Sequence, residues 1–477
     1  MSVDLLDRVP PILRALADAV GGGMYLVGGA VRDLLLDRPV ADWDLAADRP
    51  EETARAAGRL AHVRVVQLRA DPMLALHVPV RKLGTVDVTR LDPVGPQSDL
   101  LRRDFTINAI ALDLRSGEIL DPVGGRDDLR RALIRVVKDS ALADDPTRIV
   151  RAYRLAADLG FRIDAPTREL LRRDRETLRS APPQRYGAEL LRLFESEHPI
   201  GATIALMDTD RVLDEIVPMW PDMRGIVQGP YHHRDVLGHS LEAADFVDLL
   251  VESPPAFLLR AGEDVRQAIA HPHRRASVRA GAMLHDIGKP SMRYTDEEGR
   301  LWFRGHENTG ADIVAELTRE WGWPRMMRKA VSQMVGGHMR VMHLSRDAAD
   351  SGVPPTDTAL RRLLRDEDEA IPGIFLVCIA DLLASRGPAT EQGPRLNMIA
   401  RLDEMASRSL RLREEENFRP RILTGEDLMT EFGLLPGPQI GELLAAVETA
   451  HEDGEVTTRD DALALARRRL EGPAGED

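Results

Sequence analysis

"VADWDLA", residues 40–46, sets Asp42 and Asp44 on either side of Trp43 in a run that otherwise reads as a buried strand. Alternate residues of a strand share a face, so the two carboxylates would stand roughly 7 Å apart and repel by about 2 kcal/mol at an effective dielectric of ~20. The bland reading of such a pair is a strand end whose acids reach water. The neighbouring residues argue for more. Upstream, "YLVGGAVRDLL" (25–35) reads as a strand that ends in Gly28-Gly29 and continues as a helix carrying Arg32. Glycines at such a turn let backbone N–H groups approach phosphate oxygens, and the helix N-terminus adds a favourable dipole. Downstream, "TVDVTR" (85–90) offers Asp87 on another strand. Three carboxylates converging on one sheet edge would bind two Mg²⁺ ions, which hold a triphosphate and activate a hydroxyl for in-line attack.

Around this stretch, short β-rich runs alternate with helix-like segments: "GMYLVGGAV", "ADWDLAA", "HVRVVQL", "LALHVPV", "GTVDVTR" and "NAIALDL". They predict an α/β or α+β head of about 115 residues. From about residue 125 the apolar spacing becomes helical, as in "DPTRIVRAYRLAADLGF" (145–161), where Ile149, Tyr153, Leu155 and Leu159 fall on or near one stripe. Gly and Pro cluster near 116–125, 181–187, 227–233 and 385–394, marking candidate boundaries. No internal repeat and no long low-complexity segment stands out.

With 477 residues, 43% of them apolar, the chain should form two to four domains with real cores. Its single cysteine, Cys378, excludes an internal disulfide. No signal peptide and no uninterrupted apolar run of about 18 residues is present, so the cytoplasm is the expected address. The most apolar run, "IPGIFLVCIADLLA" (371–384), carries Asp381 and reads as a buried helix. A net charge of −14 argues against nucleic-acid binding by the whole surface. Arginines crowd residues 102–192, however, which leaves room for a local basic patch.

Three further motifs follow in order: "LRRDFTINAIALD" (101–113), "DPVGGRDDL" (121–129) and "DDPTRIVRAYR" (144–154). With the acid pair and the glycine turn, this series resembles the class II tRNA nucleotidyltransferases and bacterial poly(A) polymerases of the polymerase-beta-like superfamily, over about the first 195 residues. The resemblance implies that Gly28, Gly29 and Arg32 meet the nucleotide's phosphates, that Asp42 and Asp44 bind Mg²⁺, and that Asp87 is the third acid. It implies that Arg103 contacts the nucleotide with Asp104 and Asn108 nearby. Asp145 and Arg148 match the pair that reads the base edge of CTP and ATP, and Arg151 and Arg154 match further nucleotide contacts. The chemistry fits independently: Asp accepts and Arg donates, so together they satisfy the Watson–Crick edge of cytosine or adenine. Without the flanking motifs, Asp145 and Arg148 would read as an i, i+3 helix ion pair.

A second constellation begins at "MLHDIGKP" (283–290), with His285 and Asp286 side by side. His239 precedes it, and His306, His338 and Asp381 follow. The order His, His-Asp, His, His, Asp resembles the HD phosphohydrolases. Imidazoles suit borderline transition metals, and Asp286 would bridge two divalent ions of unspecified identity. The resemblance associates this site with phosphatase and 2′,3′-cyclic phosphodiesterase activity. His232, His233, His271 and His273 lack such context and read as surface residues.

The resulting expectation is an α+β chain: a small mixed-sheet nucleotidyltransferase head (1–115), an all-helical neck (116–230), an HD-type body (231–390) and a helical tail (391–477) that binds RNA. Its expected activity is template-independent transfer of CMP and AMP from CTP and ATP to the 3′ end of tRNA, releasing pyrophosphate. No membrane partner is expected. The segment between Asp87 and Arg102, "VTRLDPVGPQSDLL", is short and resembles CC-adding members, so the product is CCA or CC. The rivals are a poly(A) polymerase acting on RNA 3′ ends and an HD phosphohydrolase with a degenerate head. A pure RNA-binding module accounts for neither metal constellation.

Overall fold

The computed structural model describes residues 5–69, 75–80, 83–252, 262–418, 422–452 and 455–471. The chain divides into two compact units, Met1–Pro218 with Glu320–Gly322, and Met219–Arg319 with Trp323–Asp477.

Among the described residues, the first unit is built on a seven-stranded sheet: β1 (Met24–Val27), β2 (Asp42–Ala47), β3 (Val66–Arg69), β4 (Ala75–Val80), β5 (Gly84–Arg90), β6 (Ala111–Asp113) and β7 (Ile119–Leu120). The spatial order is β3-β4-β5-β2-β1-β6-β7. Only β2 and β5 run parallel; the other pairings are antiparallel. The mixed sheet expected from the alternating runs is therefore present. The two-residue β7 was too short to give a period.

Alternation decides which face each residue takes. Trp43 points into the core at 5% exposure and its indole N–H donates to the Leu83 carbonyl at 3.2 Å. Asp42 and Asp44 take the opposite face. The helix Gly29–Leu35 follows β1 directly and buries Ala30, Val31 and Leu34. Val27, Ala46, Leu91, Leu100, Ala109 and Ala111 form a small core against the sheet, with Ala46 on the same face as Asp44. Burying side chains of this kind contributes about 1.5–3 kcal/mol for each large one, which fixes the strand ends that carry the acids.

Beyond the sheet the first unit is helical, apart from a two-residue ladder between Leu133–Ile134 and Arg162–Ile163. The stripe read from the sequence is seen in the helix Thr147–Leu159, which buries Ile149, Tyr153 and Leu155 and ends at Gly160 with φ +65°.

The second unit is almost wholly helical, with one short hairpin, Tyr294–Thr295 with Leu301–Trp302. Its main core runs from Ala243 to Leu412. The helix Gly373–Ala384 lies at its centre with nearly every side chain buried. No helix of the described residues is long and apolar enough to cross a membrane. The helix Gln392–Phe418 contributes Ile399, Leu402, Met405 and Ala406 to this same core. A separate small core starts at Leu423 and includes Leu428, Leu443, Val447 and Ala466.

Candidate active site and candidate metal centre

Strand pairing assembles the acids of the head. β2 and β5 are in register with Asp44 opposite Asp87 and Asp42 opposite Thr85, so all three carboxylates share one face. The Thr85 hydroxyl donates to Asp42 Oδ1 at 2.6 Å. His77, opposite Asp87 on β4, lies 2.7 Å from Asp87 Oδ1 through Nδ1. Burial pushes the Asp44 carboxyl up to about 6; Arg103 opposes the shift, while Asp87 and Asp42 add to it. This cluster carries more negative charge than its neighbours neutralise, which is the donor set a hard divalent cation takes.

The glycine turn sits against the same acids. Gly28 has φ +71° and ψ −138°, outside the range of L side chains, and a Cβ there would lie 3.0 Å from Arg103 Nη1 and 3.2 Å from Asp44 Oδ2. Gly28, Asp44 and Arg103 thus meet at one point. Arg103 also pairs with Asp99 at 3.1 Å. Arg32 grips Asp33 with two bonds of 2.9 Å each and donates to Asn108 Oδ1 at 2.9 Å, tying the turn to the "RRDFTINA" segment.

Asp104 is buried, yet its carboxyl is held below the usual range. Desolvation is overcome by Arg151 at 2.9 Å, by Asn108 and by the Phe105 amide. Arg151 and Arg154 both reach Glu189, at 2.8 and 2.6 Å, and Arg154 also takes Asp158 at 2.9 Å. Asp145 stands just ahead of the helix in an extended conformation and accepts from Thr147 and from Arg185. Arg148 donates to the carbonyls of Ala141 and Arg102, both at 3.1 Å. The i, i+3 ion pair is not made.

In the second unit, two groups of ligand-type atoms lie within 4.8 Å of one another: His239, His285 and Asp381, and Asp286, His306 and His338. Asp286 faces both. Its Oδ2 is 3.7 Å from His239 Nε2 and 3.3 Å from His285 Nε2, and its Oδ1 is 3.3 Å from His306 Nε2. The Nδ1 atoms of His285, His306 and His338 sit 2.7–2.9 Å from the carbonyl three residues back, which turns each Nε2 inward. His239 Nδ1 and Nε2, His285 Nε2 and His306 Nε2 are buried without a hydrogen-bond partner. Buried orphan imidazole nitrogens beside carboxylates are what a transition-metal pair would satisfy. Burial, then His285 and His306, push His338 down to about 3, which keeps its lone pair free. Burial works against ionisation of Asp286 and Asp381, but their histidine neighbours keep both carboxyls well below the usual range.

Comparison with known proteins finds family matches for three stretches of the chain. Residues 24–135 match the "Poly A polymerase head domain", 160–223 the "Probable RNA and SrmB- binding site of polymerase A" and 236–386 the "HD domain". An A-adding tRNA nucleotidyltransferase of Deinococcus radiodurans is 31% identical over 466 residues, spanning 95% of this chain and 97% of its own. The chain belongs to the class II tRNA nucleotidyltransferase and poly(A) polymerase family. A CC-adding tRNA nucleotidyltransferase of Thermus thermophilus is 33% identical over 448 residues, 92% of each chain. In fold, the chain resembles the Thermotoga maritima CCA-adding enzyme solved with tRNA, with a TM-score of 0.52 at 21% identity over 98% of each chain.

As a tRNA nucleotidyltransferase, the chain brings the three head carboxylates onto one sheet face and gathers the HD histidines and aspartates into two groups. The degenerate-head reading is not favoured, since all three acids stand together. A-only addition, the activity named for the D. radiodurans relative, was not among the outcomes weighed from sequence. Sequence reading also missed His77, Thr85, Arg185, Glu189, Gln228 and Lys289. Lys289 Nζ bonds Asp286 Oδ2 at 2.6 Å and Gln228 at 2.5 Å. Of these, only Lys289 carried a local signal, its place in "HDIGKP". His233, His271 and His273 are exposed, as expected. His232 departs from that expectation. It is half-buried with its ring edge-on to His239 at 4.6 Å, because the 230–232 backbone is docked on Gly387 and Ala389. Burial, then His239, push it down to about 4.

Proposed function

We propose that the head transfers nucleotides to the 3′ end of tRNA with Asp42, Asp44 and Asp87 as ligands for Mg²⁺. The observation that carries this is the in-register pairing of Asp44 with Asp87, with Asp42 on the same face and the Gly28 turn and Arg103 against them. When bound, the cation would screen the acids, align a triphosphate and acidify the attacking hydroxyl. The residues divide the rest of the work. Backbone amides at Gly28-Gly29 and the guanidinium of Arg103 bind phosphate oxygens. Arg32 and Asn108 brace the turn. Asp145 and Arg148 read the base edge of the incoming nucleotide. Arg151 and Arg154 add further nucleotide contacts, oriented by their ion pairs with Asp104 and Glu189.

The product we assign is CC. The segment after β5 is short and held at both ends: Leu91 N–H donates to the Ala47 carbonyl on β2, Val94 N–H to Asp92, and Arg102 pairs with Asp92 at 2.7 Å. A segment so held resists the rearrangement that accepting ATP after CTP requires. A second reading, A addition alone, is favoured by the D. radiodurans relative. Transcripts lacking CCA, or ending in CC, decide between them when given CTP, ATP or both. CC formed on the first with no AMP added to the second supports CC addition. AMP added only to the second supports A addition, and both together support CCA addition. No extension on either transcript overturns the assignment.

For the HD site we propose that His239, His285, Asp286, His306, His338 and Asp381 hold divalent transition metal, with phosphatase or 2′,3′-cyclic phosphodiesterase activity. The metal would polarise a phosphoester, while Asp286 faces both triads and Lys289 balances its charge. The double variant Asp42→Ala, Asp44→Ala should lose nucleotide addition and keep metal content at the HD site; His285→Ala should do the reverse. One variant abolishing both activities overturns the two-site reading. The proposed domains are a head (1–115), a neck (116–230), an HD body (231–390) and an RNA-binding tail (391–477).

A further inference from the structure

Resting on the base-reading role of Asp145 and Arg148, we propose that Arg185 is a positioning residue for nucleotide choice: it holds the Asp145 carboxylate apart from Arg148, leaving both open to one base edge. Three observations on separate elements converge here. Asp145 has φ −148° and ψ +99°, and the helix starts only at Thr147, so the spacing that would pair Asp145 with Arg148 along a helix face does not apply. The two carboxylate oxygens are fixed separately. Oδ1 accepts from the Thr147 hydroxyl at 2.6 Å and its amide at 3.2 Å, and Oδ2 accepts from Arg185 Nη2 at 2.7 Å. Arg148 is fixed by other means, donating to the Ala141 and Arg102 carbonyls. Each member of the reading pair therefore has its own anchor, and Arg185 is the anchor that arrives from a different helix, Pro183–Phe194.

The consequence lies in hydrogen-bond polarity. Cytosine and adenine present an amino donor next to a ring-nitrogen acceptor, which matches a fixed carboxylate acceptor beside a guanidinium donor. Uracil and guanine present the reverse, a carbonyl next to a ring N–H, and meet acceptor against acceptor. If Oδ2 is released, the nearest guanidinium in sequence is Arg148. Pairing between them uses up both reading groups and erases the distinction between amino-bearing and carbonyl-bearing bases. A carboxylate oxygen carries more than one lone pair, so the Arg185 bond leaves room for the base.

The test uses the full chain with Arg185→Ala, Arg185→Lys and Asp145→Ala, measuring kcat/KM for each of the four nucleoside triphosphates on tRNA lacking its 3′ end. Arg185 is 47% exposed, so loss of its side chain should leave folding intact, as monitored by thermal melting. Arg185→Ala should cut CTP-over-UTP discrimination about tenfold or more. Arg185→Lys should restore part of it, because one ammonium still holds Oδ2. If Arg185→Ala keeps full discrimination while Asp145→Ala loses it, the role of Arg185 is overturned and the base reading stands. If Arg185→Ala slows all four nucleotides equally, the positioning role is likewise overturned. Unaltered discrimination in Asp145→Ala overturns the base reading itself.

Discussion

At the scale of single residues, Asp44 has the largest consequence. Its carboxyl, pushed up to about 6 by burial and by the two other acids, binds a proton more tightly in the folded chain than in the unfolded one. Between about pH 4 and 6 the folded state keeps a proton that the unfolded state has released, so the stability of the metal-free protein falls as pH rises through that window. Asp44→Asn should therefore raise metal-free stability by about 1–2 kcal/mol at pH 8, allowing for solvent screening, with the gain shrinking toward pH 4. It should also abolish nucleotide addition. Thermal melting in chelator across this range checks the sign; an Asp44→Asn protein less stable at pH 8 contradicts it. Glu189 makes a second case. It is the shared acceptor of Arg151 and Arg154, so Glu189→Ala leaves two largely buried guanidinium groups without it and should cost about 2–3 kcal/mol in urea unfolding.

At the scale of elements, close backbone approach decides whether ligands meet. A Cβ on Gly288 would lie 2.1 Å from the His306 carbonyl oxygen and 2.7 Å from the Gly310 amide. Gly288 is what lets the helix His306–Glu320 start close enough to deliver His306 to Asp286. Gly288→Ala should push that helix away, lowering bound metal per chain by more than half and stability by about 1–3 kcal/mol, while CMP addition at the head persists. Metal analysis and calorimetry read both; full metal content in Gly288→Ala would sink the argument. The strands show the complementary point. Six of the seven strands follow from alternation alone, whereas the parallel register of β2 on β5, which brings Asp44 opposite Asp87, joins segments about 40 residues apart.

For the whole molecule, a net charge of −14 has to coexist with a polyanionic substrate. With that charge, a local basic stripe is the expected grip on tRNA, and affinity should still fall steeply with salt. From 50 to 200 mM salt the dissociation constant should weaken about tenfold or more, and filter binding across that range measures the slope. A flat response would remove the stripe. The sequence by itself determined the kind of chemistry and the order of its parts: the acid pair, the glycine turn, the double arginine and the His285-Asp286 pair each occupy a few adjacent residues, and strand alternation or helical spacing fixes their faces. Only the tertiary structure decided the partners. Asp145 could pair with Arg148 by spacing, but the helix begins after Asp145, and Arg185, 40 residues away, takes its carboxylate. His77 on Asp87, Glu189 between two arginines, and His232 against His239 were hidden for the same reason. A local pattern orients a side chain, but which charged group meets it is set when folding buries distant segments together and their polar groups must find partners.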